Sequence, residues 1–443
     1  MPSPSFHHDS NPQTADPPPR VGKRADARVV VVGQGYVGLP VAMRAVEVGF
    51  DVVGLDSDKN RVQELLGGRS YIGDVSSSAL AQALDSGRYL PTSAYADAQD
   101  FDVAVITVPT PLRESLPDLS FIEDAAAMLA PSLNTGATVI LESTTYPGTT
   151  EELLVPILER HSGLQAGVDF HVGYSPERID PGNQTWGFVE TPKVVSGINA
   201  TSLTAVRSFY DALVNQTVPV STPREAELTK LLENTFRHVN IALVNELAVF
   251  ADQLNINIWE AIDAASTKPF GYLRFTPGPG VGGHCLPVDP SYLSWQVRRQ
   301  LGQSFRFIEL ANDVNDHMPH YVVQRVTRLL NDCSQAVKGS RIMLVGLAYK
   351  RDTGDIREAP SLKLIELLQE LGAHVSGVDP YVEPHRWPAG VVSRPLSRTT
   401  LAATDLTIIV TDHSNFDLDL LSNSPTPVFD TRRCLPAGSA HLL

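Results

Sequence analysis

The stretch Arg28-Val29-Val30-Val31-Val32-Gly33-Gln34-Gly35-Tyr36-Val37-Gly38 decides the fold. Four successive valines read as a strand buried on both faces, the pattern of a parallel sheet. Glycines at 33, 35 and 38 then give G-x-G-x-x-G, and a helical pattern follows to Val48. A second strand, Asp51-Val52-Val53-Gly54-Leu55, ends at Asp56. Strand, glycine turn, helix, strand and terminal acid make the dinucleotide fingerprint in the context it requires. The glycines allow the tight turn and let a pyrophosphate reach the helix N-terminus. Asp56 can accept both ribose hydroxyls and disfavours a 2′-phosphate, so the expected cofactor is NAD. The expected cofactor-binding residues here are Gly33, Gly35, Tyr36, Val37, Gly38, Asp56 and Arg61.

Strand–helix alternation continues outward from this unit. Val103 to Val108 reads as a buried strand ending in Pro109-Thr110-Pro111, at the edge where cofactors sit in such sheets. Thr138 to Leu141 is another, ending in Glu142-Ser143-Thr144-Thr145-Tyr146-Pro147-Gly148. Those hydroxyls either hold water or phosphate or cap the helix that begins near Thr150; Pro109, Thr110 and Thr144 join the cofactor set. Phe170 to Tyr174 leads into Ser175-Pro176-Glu177-Arg178, where Glu177 is either a catalytic carboxylate or a helix-start acid. From Glu225 to about Asn255 runs one long helix without internal Gly or Pro. Its Lys230 and Asn234 share a face. If that face is buried they need partners; otherwise it is a solvated stripe. A helix this long and apolar is also a packing surface for a second subunit.

A second α/β unit closes the chain: a strand from Arg341 into a turn at Lys350, a charged segment to Glu358, a helix over Ser361 to Leu371, and strands at His374 to Pro380 and Leu406 to Val410. It is similar to a dinucleotide-type half without the glycine motif. Lys350 and Arg357 there either contact phosphates or are surface charge. The expected class is α/β, with two Rossmann-like doubly wound domains joined by a long central helix. Expected boundaries are 27–215 for the NAD domain, 216–320 for the central region and 321–443 for the last domain. The proline-rich residues 1–26 cannot bury a core and read as a disordered tail.

Between the two α/β units lies Gly278-Pro279-Gly280-Val281-Gly282-Gly283-His284-Cys285-Leu286-Pro287-Val288-Asp289-Pro290. Four glycines in six residues deny the backbone a regular element and let it pass close to a ligand. Cys285 ends this loop, and Asp289 follows in a turn stiffened by prolines on both sides. A thiol beside a fixed carboxylate fits covalent catalysis; the alternative is a buried cysteine packing as a small hydrophobe. Three widely spaced cysteines exclude a disulfide framework, and no metal-ligand spacing appears. A net charge of −15 argues against nucleic-acid or anionic-membrane partners. With no long apolar span and no signal-peptide pattern, the expected compartment is the cytoplasm.

Together these motifs resemble the UDP-glucose/GDP-mannose dehydrogenase family over residues 27–443. The resemblance rests on G-x-G-x-x-G with Asp56, Val108-Pro109-Thr110-Pro111, Ser143-Thr144, Ser175-Pro176-Glu177, Lys230-x-x-x-Asn234, Gly282-Gly283-His284-Cys285 with Asp289, and Asp355-Ile356-Arg357-Glu358. His284, Val288 and Pro181 stand where glucose-specific members carry Ser or Tyr, Lys and a second Glu. The chain is similar to the UDP-N-acetylhexosamine branch, and most of all to its UDP-N-acetylglucosamine 6-dehydrogenases. Arg274 departs from the apolar residue expected there and bears on the hexose if it lines the sugar pocket.

The resemblance implies a four-electron oxidation of the sugar C6 hydroxymethyl, through a cysteine thiohemiacetal and thioester, using two NAD⁺. It implies catalytic roles for Cys285, Lys230, Asn234, Asp289, Glu177 and Thr144. Substrate contacts are implied for Glu177, Arg178, Lys230, Asn234, Lys268, Gly282, Lys350 and Arg357, with no metal and a homodimer. Alternative substrates are UDP-glucose and UDP-N-acetylmannosamine. A reading of another class is an NAD-binding regulatory protein without turnover, whose expected mark is loss of Cys285, Lys230 or Asp289; all three are present.

Overall fold

The computed structural model describes residues 27–113, 116–179, 183, 185–283 and 285–443. The proposed tail, and Pro181 and His284 of the branch comparison, lie outside the described residues.

The N-terminal sheet contains β1 (Arg28–Val32), β2 (Asp51–Leu55), β3 (Tyr89–Thr92), β4 (Val103–Ile106), β5 (Thr138–Leu141) and β6 (His171–Tyr174). They lie in the order β3-β2-β1-β4-β5-β6, and every pairing is parallel. β1 is central: Val29 pairs with Val52 on one side and Val103 on the other. Helices cover both faces, which is why all four of its valines are buried. Strand order reverses between β1 and β4, and there the carboxyl ends leave a crevice for a ligand. Helix α1 (Gly38–Glu47) leaves the β1 turn, and α2 (Lys59–Leu66) follows β2.

The second sheet repeats the plan. β7 (Arg341–Val345), β8 (His374–Val378), β9 (Val392–Ser393), β10 (Leu406–Ile409), β11 (Val428–Asp430) and β12 (His441–Leu442) lie in the order β9-β8-β7-β10-β11-β12. Again all pairs are parallel. Helix α3 (Pro223–Gln253) joins the halves. Its Ala226 belongs to the N-terminal core, and its Val249 packs on the C-terminal one. After it come α4 (Ile258–Ala265), α5 (Cys285–Leu301) and α6 (Arg306–Asp332).

Two elements differ from the sequence reading. The glycine loop ends sooner than expected, because Cys285 opens helix α5 and Asp289 lies in its second turn rather than in a stiff turn. Pro287 falls in the first turn, where its missing N–H costs nothing, while Pro290 lies inside the helix. Helix α6 was masked in the sequence by its polar face and by Pro319 in its interior. That residue reads as a breaker yet is buried and tolerated.

Candidate active site

The glycine turn after β1 divides its work among three positions. Gly33 has φ +94°, and a Cβ there would come 2.8 Å from the carbonyl oxygen of Thr107. A Cβ on Gly38 would come 1.8 Å from the carbonyl of Gly33, so this glycine seats α1 against the strand. A Cβ on Gly35 would meet nothing within 4 Å, which leaves open space above the backbone for a pyrophosphate. Asp56 is buried and pre-aimed: Oδ2 accepts from the Gln34 backbone N–H at 2.8 Å and from Arg61 at 3.0 Å. Its Oδ1 accepts from the Asp58 N–H at 2.9 Å. These residues fit NAD. Val37 immediately precedes α1, Pro109 is exposed at the β4 edge, and Thr144 is half-buried after β5. Thr110 is buried, and its carbonyl accepts from the Tyr292 hydroxyl.

One face of α3 gathers four of the expected catalytic residues, Lys230, Asn234, Glu177 and Asp289. Lys230, one turn past Glu227 and one turn before Asn234, is buried, and its Nζ donates to the Glu177 carbonyl at 2.6 Å. Asn234 Nδ2 donates to Asp289 Oδ2 at 2.6 Å. Glu227 Oε1 accepts from the Thr150 N–H at 2.9 Å and from its hydroxyl at 2.7 Å. Oε2 of the same residue accepts from the Gly148 N–H at 2.5 Å. Further along, Asn245 Oδ1 accepts from the Gly278 N–H at 2.9 Å and so ties down the glycine loop. The partners that a buried Lys230 and Asn234 require are therefore present.

Electrostatics follow burial. Asp289 is buried, and desolvation pushes its carboxyl up to about 7, against the opposing pull of Lys230 and the Asn234 hydrogen bond. Glu227 is likewise pushed to about 7 by burial, against three hydrogen bonds that lower it. Glu177 Oε1 accepts from the Ile179 N–H. Its Oε2 is buried without a protein hydrogen-bond partner among the described residues.

The glycine loop packs on the C-terminal half. Cβ atoms on Gly282 and Gly283 would collide with the Glu358 carbonyl and the Tyr349 ring at 2.6 and 2.5 Å. The close approach these glycines permit is thus to the protein's own chain. Gly283 N–H donates to the Arg357 carbonyl at 2.9 Å. Arg357 forks onto Asp355 at 2.6–3.0 Å, and its guanidinium lies 5.8 Å from the Tyr36 ring. The residue expected at the substrate therefore meets one expected at the cofactor, across the crevice. Lys350 is half-buried in the turn after β7.

Other expected substrate residues have protein partners of their own. Arg178 pairs with Glu233 at 2.6 Å and donates to the Pro192 carbonyl. Lys268 is exposed over the Phe270 ring. Arg274 is exposed and bound to Asp263 of α4 at 2.7 Å. Val288 is buried in an apolar cluster with Leu231 and Tyr292.

Sequence reasoning missed several groups. Glu227 had a usable signal, since it lies three residues before Lys230 on the same face. Arg432 had none: Nε donates to the Val410 carbonyl at 2.7 Å, and a Cβ on Gly278 would lie 2.7 Å from its Nη1. Arg432 makes no ion pair among the described residues. The fully buried pair of Lys193 with Glu142, whose Oε2 also accepts from Tyr210 at 2.7 Å, joins residues far apart in the chain. Burial raises the Glu142 carboxyl. No helix among the described residues is long and apolar enough to cross a membrane.

Family models match in three consecutive parts. The NAD binding domain of the UDP-glucose/GDP-mannose dehydrogenase family matches residues 27–214, the central domain 224–317 and the UDP binding domain 343–437. A UDP-N-acetyl-D-glucosamine 6-dehydrogenase from Salmonella typhi is 35% identical over 93% of this chain and 97% of its own. An NDP-N-acetyl-D-galactosaminuronic acid dehydrogenase from Ralstonia solanacearum is 35% identical over 91% and 95%. Among solved structures, UDP-D-ManNAc dehydrogenase from Pyrococcus horikoshii superposes with a TM-score of 0.83 at 32% identity, covering 94% of this chain and 98% of that one.

Proposed function

Since the chain belongs to the UDP-glucose/GDP-mannose dehydrogenase family, we propose that it oxidises the C6 hydroxymethyl of a UDP-N-acetylhexosamine, UDP-N-acetylglucosamine before the others, to the uronic acid. The enzyme is an NAD-dependent nucleotide-sugar dehydrogenase, and its substrate class is a UDP-sugar. One observation carries the chemical reading: Lys230 and Asn234 hold the Glu177 segment and Asp289 against one face of α3, one turn from Cys285 at the start of α5.

NAD⁺, which the glycine turn and Asp56 would hold, would supply the hydride acceptor for each of the two oxidations. In the first, the C6 hydroxyl gives up its proton to a base held at Asp289, and the product is an aldehyde. The thiolate of Cys285, the first residue of α5, adds to the aldehyde carbon and forms a thiohemiacetal. Lys230, with Asn234 beside it, stabilises the oxyanion. Loss of the second hydride leaves a thioester. Glu177 deprotonates a water that attacks the thioester carbon, which returns the thiol and releases the carboxylate. Thr144 and Asp289 orient water in these steps. Lys350, Arg357 and Arg432 supply the cations for the diphosphate.

The hexosamine assignment draws on the branch motifs and on the relatives, whose names specify N-acetylated sugars. A second copy of the chain is the proposed partner. Leu228, Leu232, Phe236, Leu243, Leu247 and Phe250 form an exposed apolar stripe along α3. Lys268 is assigned to substrate across that interface, and the compartment is the cytoplasm.

The test is NADH formation with UDP-N-acetylglucosamine, UDP-N-acetylmannosamine, UDP-N-acetylgalactosamine and UDP-glucose at matched subsaturating concentration. UDP-N-acetylglucosamine should exceed UDP-glucose by at least about tenfold in kcat/KM, with two NADH formed for each sugar. Equal or faster turnover of UDP-glucose overturns the hexosamine reading. Uronic acid formed at the parent rate by Cys285→Ala overturns the covalent route.

A further inference from the structure

Glu227 holds the loop after β5 against the helix that carries Lys230 and Asn234, yet the chemistry above gives it no part. Its carboxylate is fully buried and makes no ion pair among the described residues. Three donors converge on it: the Gly148 N–H, the Thr150 N–H and the Thr150 hydroxyl. Only an acceptor on both oxygens satisfies that arrangement. A glutamine would turn an NH₂ group toward one of the N–H donors and leave it unmade, at a cost of about 1–3 kcal/mol for a buried group.

The turn fastened in this way is the one that presents Thr144. At its near end the Ser143 hydroxyl donates to the Val108 carbonyl at 2.7 Å. Within the turn, Thr145 and Thr149 join hydroxyls at 2.5 Å. At its far end Gln296 of α5 donates to the Pro147 carbonyl, and Glu227 takes Gly148 and Thr150. Glu227, Lys230 and Asn234 lie at i, i+3 and i+7 on one rigid helix, so a shift of the turn is a shift of Thr144 relative to both.

We propose that Glu227 is a positioning residue: by clamping Gly148 and Thr150 it sets Thr144 against Lys230 and Asp289 in the reacting geometry. This inference rests on the functional reading above, which supplies the roles of those three residues. The residues assigned to the diphosphate lie in the C-terminal half, so the effect falls on kcat and not on KM for the UDP-sugar, whereas KM for NAD⁺ is free to move because Thr144 also belongs to the cofactor set. Misplacement by about 1 Å is worth up to about a hundredfold in rate.

The experiment compares the parent, Glu227→Gln and Thr150→Val on the preferred UDP-sugar, with KM for both substrates, kcat and melting temperature measured. Glu227→Gln should lose at least about tenfold in kcat, with KM for the UDP-sugar within about twofold. Thr150→Val removes one donor of three and should lose roughly two- to fivefold in kcat. A folded Glu227→Gln with parental kcat overturns the proposal, as does a loss confined to KM. Should Glu227→Gln not fold, Thr150→Val decides by the same criterion. An active parent with unimpaired variants refutes this inference alone, whereas a parent inactive on every UDP-sugar refutes both readings.

Discussion

Asp289→Asn should stabilise the protein at alkaline pH while it removes activity. The carboxyl is buried and pushed up to about 7 from an ordinary value of 3.8. For an acid raised in the folded state, the fold binds the proton more tightly than the unfolded chain does. Its contribution to stability is therefore fully present below about pH 3.8 and is lost as pH rises through about 7. At about 1.4 kcal/mol per tenfold in proton affinity, the full loss is on the order of 4 kcal/mol, of which roughly 1.6 has already gone at about pH 5. An asparagine keeps the acceptor for Asn234 and carries no charge, so it is spared that loss. The gap between variant and parent should thus widen by about 3 kcal/mol between about pH 5 and about pH 8.5. For a cooperative unit of 150–250 residues this is roughly 6–12 °C in melting temperature. Scanning calorimetry of both proteins across that range is the assay. Parallel melting curves at every pH would show that Asp289 carries no buried charge and would refute the reasoning. Kinetically the same variant should fall by roughly 10²–10⁴ in kcat, as expected for loss of an acid–base group.

Other outcomes follow from particular contacts. Asp56→Ala frees Arg61 and leaves room for a 2′-phosphate, so the kcat/KM preference for NAD⁺ over NADP⁺ should drop by at least about tenfold; an unchanged ratio would show that Asp56 does not select the cofactor. Leu243→Glu with Leu247→Glu places two charges on the exposed α3 stripe, and sedimentation should show a dimer for the parent and a monomer for the variant; equal masses would move the interface elsewhere. The Tyr174 hydroxyl is buried with no protein partner among the described residues. Tyr174→Phe should therefore leave stability unchanged or raise it by up to about 1 kcal/mol, and a chemical-denaturation midpoint clearly below the parent's would show that the hydroxyl is bonded in the native protein.

Much of this protein is local and therefore legible along the chain. The valines of β1, the three glycines and Asp56 fall within one strand–helix–strand unit, so period, turn chemistry and the terminal acid specify the cofactor crevice without help from distant residues. The same holds for the strand-length apolar runs of the second half and for α3, where nothing in the sequence interrupts a long helical pattern. The interval between Lys230 and Asn234 was enough to place them on one face. Whether that face was buried could not be read from the interval, because burial depends on what packs against it: the loops after β5 and β6 and the first turns of α5, brought there by tertiary structure. Ion pairs such as Lys193 with Glu142 and the approach of Arg357 to Tyr36 join residues that share no helical or strand period, so no local pattern announces them. Proline misled at Pro287 and Pro290, since its penalty is small in a first turn and can be offset by packing deeper in a helix. Residue types and their spacing thus determined the fold class and the cofactor. Which groups face one another, and how far burial raises Asp289 and Glu227, was decided only by the folded chain, because desolvation and hydrogen-bond geometry are properties of neighbours in space.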